Sequence, residues 1–213
     1  MFYINLGIVM KVINRILLYI CILAYNPMAY ADEETEKLKV YVNNLITDGY
    51  NIVNDANLSA ADKVNRSSTL IRANLHLDWM AKYTLGRHKK SLSAEKIKEF
   101  TEVYSKFIVQ AYADLSKNYS NVKAVVKKVN KVDDNVFLVS MEIFKKDSDS
   151  PVAVDYLVHK LANAKQNPYK VGDIITEGVS ILNSQQTEFD NVISNNGIDA
   201  LISNLKEKLS KNN

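Results

Sequence analysis

The sequence predicts an α+β fold, with helices first, then a curved antiparallel sheet of about four strands, then helices again. Three observations carry that reading. Apolar residues recur at helical spacing from Glu33 to about Asn118. Between Val122 and Ile175 the period changes to two. From Val179 to Leu209 helical spacing returns.

Each element has its own signal. From Glu33 to Asp55, the residues Leu38, Val42, Leu45, Ile46, Ile52 and Val53 form one helical face, with Gly49 weakening its middle. Ser59, with Asp62 three residues on, reads as the start of a second helix carrying Val64, Leu70 and Ile71. Leu75, Leu77, Trp79, Met80, Tyr83 and Leu85 form a further apolar group that Gly86 closes as a C-cap. Ser93 caps the strongest helix, whose stripe runs through Ile97, Phe100, Val103, Tyr104, Phe107, Ile108, Ala111, Tyr112 and Leu115.

The strands come next. Val122 to Val129 is the first. Asn135 to Lys145 alternates Phe137, Val139, Met141 and Ile143 against Leu138, Ser140 and Glu142. Pro151 to His159 alternates Val152, Val154, Tyr156 and Val158 against Ala153, Asp155 and Leu157, and Tyr169 to Ile175 is the fourth strand. Turn residues stand between them at 133–135, 146–150 and 163–167. Short strands in meander order imply an antiparallel sheet. In the last segment Asn195-Asn196-Gly197 divides two helices, the second carrying Ile198, Leu201, Ile202, Leu205 and Leu209.

The N-terminus has the form of a cleavable export signal. Lys11 and Arg15 are its only charges before Asp32; an apolar run from Ile16 to Ala24 follows, then Pro27 and Ala29-Tyr30-Ala31. A positive start, a short apolar stretch and an A-x-A site define a secretory signal peptide. The apolar run is well short of the roughly twenty residues a spanning helix needs. Cleavage is expected after Ala31, with residues 1–31 as the signal and residues 32–213 as one domain. Met10 is the expected initiator, because Met10-Lys11-Val12-Ile13-Asn14-Arg15 is itself a complete charged start. The single cysteine, Cys21, lies inside the signal, so the mature chain would hold no disulfide. Ile20 before it is too large for a lipoprotein box. Together these features lead to the expectation that the chain is exported to the periplasm.

Composition excludes some classes. Without Lys11 and Arg15 the 27 basic residues become 25, against 24 acidic ones. A near-neutral chain has no concentrated basic face for nucleic acid. His76, His88 and His159 show no metal-ligand spacing and read as packed or solvated. No nucleophile elbow is present, and six glycines in all leave no phosphate loop. Asp173 with nearby tyrosines is the best candidate for acid–base chemistry, as in an isomerase. Its simpler role is to accept backbone N–H bonds at a strand-to-helix joint. No cofactor, metal or catalytic residue is expected.

At Asp173 the sequence begins to resemble a known family. Asp173-Ile174-Ile175-Thr176-Glu177-Gly178-Val179-Ser180-Ile181, with Phe189 and then Gly197-Ile198-Asp199-Ala200-Leu201 and Leu205, is similar to the hallmark of the MlaC family. These are periplasmic phospholipid-binding proteins of the Mla pathway, also called toluene-tolerance auxiliary transport proteins. Leu85-Gly86 and the aromatics Phe100, Tyr104, Tyr112 and Tyr119 extend the resemblance, which covers Trp79 to Leu209. The family usually has Trp where Tyr169 stands and an aromatic where Gly172 stands. The resemblance implies an NTF2-like sheet wrapped by helices, with an apolar pocket between them. It implies transfer of phospholipid between an outer-membrane lipoprotein complex and an inner-membrane ABC transporter complex, in maintenance of lipid asymmetry, without enzymatic activity. The chain is expected to act as a monomer.

For a carrier, one wall of the pocket is expected from Phe137, Val139, Met141, Val154 and Tyr156 on the alternating strands. The other is expected from Val103, Phe107 and Ala111 on the long helix. Asp173, Glu177, Gly178 and Ser180 are expected to form a structural joint. Two further readings stay open: a lipid-free periplasmic interaction module with a solid core, and a small NTF2-like isomerase.

Overall fold

The computed structural model describes residues 27–116, 122–145, 150–164 and 167–211. The expected export signal to residue 26, the helix end at Asn118, and turn residues 146–149 and 165–166 lie outside the described residues. The chain divides into two compact units, Met1–Lys37 and Leu38–Asn213. Described residues of the first unit are helical, and the second holds the sheet and the remaining helices.

The elements are α1 (Pro27–Asn54), α2 (Ala60–Asn74), α3 (Leu77–Thr84), a 3-10 turn (Gly86–Ser91) and α4 (Ala94–Ser116), followed by β1 (Val122–Asp133), β2 (Val136–Lys145), β3 (Val152–Lys160), β4 (Tyr169–Thr176), β5 (Val179–Ser180) and α5 (Ile181–Lys211). The strands pair in chain order as one five-stranded sheet, antiparallel throughout. The fifth strand, two residues long, is the one beyond expectation. Register shifts in β1 and between Leu157 and Val158 mark bulges, which bend and twist a sheet.

Local chemistry sets the helix ends. Ser59 Oγ accepts the Asp62 N–H at 3.1 Å and donates to the Asp62 carboxylate at 2.6 Å. Ser93 Oγ accepts the Lys96 N–H at 3.2 Å. Gly86 takes φ +50 where α3 gives way to the 3-10 turn. Gly197, at φ +81 and ψ 169, kinks α5.

Two apolar clusters hold the second unit together. The helical one joins Met80, Phe100, Tyr104, Leu182, Phe189 and Leu205, among others, from α3, α4 and α5, with Leu85 from the C-cap of α3. Phe189 stands edge-on to Phe100 and Tyr104, with centroids 6.0 and 6.2 Å apart, a favoured aromatic geometry. Outside it, Arg87 of the 3-10 turn donates two hydrogen bonds to Asp190 of α5, at 2.8 and 2.9 Å. The sheet cluster sets Leu38 and Val42 of α1 against Phe137, Val139, Val158 and Tyr169. The segment between α2 and α3 is tied to the sheet by a parallel bridge from Leu75 to Val171. The His76 N–H extends it, donating to the Val171 carbonyl at 2.9 Å.

Candidate functional site

A cavity of about 310 Å³ lies between α1, α2 and the sheet. From α1 it is lined by Leu45, Ile46, Gly49, Tyr50 and Val53, and from α2 by Leu70, Ile71 and Asn74. The sheet contributes Ala124, Met141, Ile143, Val154, Tyr156 and Ile174, and α4 contributes Tyr112. No lining residue carries a charge.

Strand register explains its position. Ala124 pairs with Ile143, Ile143 with Val152, and Val154 with both Met141 and Thr176. These residues form one end of the sheet. At the other end, Leu38 and Val42 are fully buried against Phe137, Val139 and Val158. The same sheet face is therefore solid at one end and hollow at the other. Gly49 contributes to the hollow: a Cβ there would meet only the Leu70 side chain, at 3.9 Å.

The structure divides the expected wall residues. Met141, Val154 and Tyr156 line the cavity. Phe137 and Val139 are buried in the filled end of the sheet. Val103 lies in the helical cluster and Phe107 packs against it, with the Lys208 ammonium 5.7 Å from the Phe107 ring centre. Ala111, half-buried, does not line the cavity. The reason is packing: α4 meets α2, α3 and α5 far more extensively than any strand, so helices cover most of its stripe, and of that stripe Tyr112 lines the cavity. The expectation missed the whole contribution of α1 and α2, together with Ala124, Ile143 and Ile174 of the sheet and Tyr112 of α4. Leu45, Ile46 and Val53 around Gly49 were the available signal, a glycine set in an apolar helical face.

Asp173 is buried at the joint between β4 and α5. Its Oδ1 accepts the Ile174 N–H at 2.8 Å and the Leu182 N–H at 3.2 Å. Its Oδ2 accepts the Ser180 hydroxyl at 2.6 Å. Ser180 Oγ in turn accepts the Asn183 N–H at 3.0 Å, capping α5. Between β4 and β5, Glu177 and Gly178 both take positive φ, +50 and +79, as a two-residue hairpin turn of type I′ requires. The Glu177 carboxylate accepts the Ala153 N–H at 2.5 Å, and the Glu177 N–H donates to the Ala153 carbonyl at 2.9 Å.

A second polar pair lies beside β4. His76 Nδ1 and His159 Nδ1 are 2.8 Å apart, with the Trp79 ring edge-on to His159 at 4.3 Å. A Cβ on Gly172 would come within 2.6 Å of the His159 ring. His159 thus fills the space a side chain at position 172 would take. Burial, with His76 beside it, pushes His159 down to about 4. Burial also lowers His76, helped by Lys170 and Lys82 and opposed by Asp78. Among the described residues no group of three potential ligands gathers for a metal.

The fold and this site define a class: an α+β domain with an uncharged, mostly apolar cavity between helices and an antiparallel sheet. The chain matches the MlaC protein family over residues 43–207 and belongs to that family. The intermembrane phospholipid transport system binding protein MlaC of Haemophilus influenzae is 28% identical over 152 residues, which cover 69% of this chain and 70% of that protein. A phospholipid-binding protein from Ralstonia solanacearum, solved in complex with a phospholipid, aligns with a TM-score of 0.67 at 22% identity, over 82% of this chain and 97% of that one. This likeness establishes the shared fold.

Proposed function

We propose that this protein is a periplasmic carrier that holds the acyl chains of a phospholipid in its cavity and passes the lipid between transport complexes of the inner and outer membranes. The observation that carries the reading is a cavity of about 310 Å³ lined by no charged residue. Burying an acyl chain of about sixteen carbons gains on the order of 12 kcal/mol, at roughly 0.8 kcal/mol per CH₂. Such a chain does not return to water unaided, so release needs handover to a partner. Names of the relatives, as intermembrane phospholipid transport and phospholipid-binding proteins, support the same reading.

The tails lie against Met141, Val154 and Tyr156 from the sheet and Leu45, Val53 and Leu70 from the helices. Asp173, Glu177, Gly178 and Ser180 hold the joint and do no covalent chemistry; the Asp173 carboxylate already accepts three hydrogen bonds. The carrier works as a monomer, without cofactor, after cleavage following Ala31. No described helix is long and apolar enough to cross a membrane.

The test is mass spectrometry of solvent extracts from the protein purified out of the periplasm. Phospholipid in near-equimolar amount is the expected result. Protein that is lipid-free as isolated, and remains so after incubation with phospholipid vesicles, would favour the interaction module.

A further inference from the structure

Among the described residues, one buried side-chain polar atom has no hydrogen-bond partner: the Tyr112 hydroxyl. Three other tyrosines contrast with it. Tyr104 donates to Gln185 at 2.7 Å, Tyr83 to Asn183 at 2.7 Å and Tyr41 to the Asn74 carbonyl at 3.5 Å. An unpartnered buried hydroxyl is destabilising by about 1–3 kcal/mol, and such groups in native proteins call for a specific explanation. The Tyr112 side chain lines the cavity, while its hydroxyl has almost no accessible surface of its own, so a ligand oxygen meets it only as the wall yields to the ligand. The nearby Asp173 carboxylate is already taken by Ile174, Ser180 and Leu182.

We propose that Tyr112 is the hydrogen-bond donor for an acyl carbonyl of the bound lipid, and that it makes the cavity prefer ester-linked chains to ether-linked ones. This rests on the carrier reading above and adds to it a residue that selects the ligand. Three features of the cavity identify the acceptor. A hydrocarbon tail offers Tyr112 nothing to bond. A phosphate would enter a cavity without a cation, near the Asp173 carboxylate, and a buried unpaired charge is strongly disfavoured. A neutral carbonyl oxygen remains, and it is covalently attached to the chain the apolar walls would hold. Burial, followed by the neighbouring Asp173 and Tyr156, raises the Tyr112 pKa, so the phenol stays protonated and able to donate. The carbonyl can come from a phospholipid ester or from a protonated free fatty acid.

The experiment is a competition read by native mass spectrometry. Delipidated full-length mature protein is offered equal amounts of a diacyl phospholipid and a dialkyl ether phospholipid with the same head group and chain lengths. Free fatty acid is the competitor in a second arm. Wild type should favour the ester lipid roughly five- to tenfold, the range expected for one hydrogen bond. Tyr112→Phe should bring that ratio close to one while still filling with lipid. Without ligand, Tyr112→Phe should melt at or above the wild-type temperature, since the orphan hydroxyl is gone. Displacement of the ester lipid by free fatty acid in wild type, and not in Tyr112→Phe, would assign the carbonyl to the acid. Equal binding of ester and ether lipids by wild type, or an unchanged preference in Tyr112→Phe, would overturn the inference while leaving the carrier reading intact. So would a lower melting temperature of empty Tyr112→Phe, which would show that the hydroxyl is already satisfied. If wild type binds neither lipid, the carrier reading falls and the inference with it.

Discussion

Ser180 both caps α5 and donates to Asp173, so its loss should be felt in stability. Ser180→Ala should lower the unfolding free energy by about 1 kcal/mol with lipid content unchanged, as measured by denaturant titration and extraction. Gly178 has open space where a Cβ would go, yet its φ of +79 disfavours any L side chain. Gly178→Val should therefore be destabilising by about 1–2 kcal/mol or more through backbone strain alone. The His76–His159 pair predicts a pH dependence with a definite sign. Both imidazoles are held below their ordinary value, so the folded state favours the neutral rings. Their stabilising contribution is complete above about pH 6.5, the unfolded value, and is lost as pH falls from there toward about 4. Melting temperatures between pH 7.5 and 4.5 should fall more steeply for wild type than for His159→Phe. Parallel profiles would contradict this account.

At the scale of elements, the cavity owes its place to which helix covers which end of the sheet. Gly49 sits in α1 where a side chain would project toward Leu70. Gly49→Leu should therefore favour the helix by up to about 1 kcal/mol and occupy the hollow. Lipid per folded protein should fall severalfold while the empty protein melts higher; full lipid content in this variant would move the tails elsewhere. The strands were legible because a period of two is local: β2 to β4 match their expected spans within a residue or two. Ser59, Ser93 and Gly86 were legible as helix boundaries for the same reason. The cavity wall was not. Val103 and Phe107 have the same apolar character as residues lining a pocket, and only the packing of α4 on its neighbouring helices covers them. The histidine pair spans 83 residues of sequence, a separation no local pattern encodes.

The whole molecule carries the prediction about export. The periplasmic form should begin at Asp32 by N-terminal sequencing, and a membrane-retained chain that keeps Ile16 to Leu23 would contradict it. The unequal filling of the sheet has a consequence on another axis, that of time. β2 lies between β1 and β3, so its backbone is paired on both sides from Val136 to Ile143. Its Phe137–Val139 end is backed by α1 side chains, while Met141 and Ile143 border the cavity. Amides near Phe137 and Val139 should exchange with deuterium only through global unfolding, and those near Met141 and Ile143 through smaller openings. Filling the cavity should slow the second group and leave the first nearly unchanged. One strand would then hold two clocks, and the faster would report whether the cavity is filled.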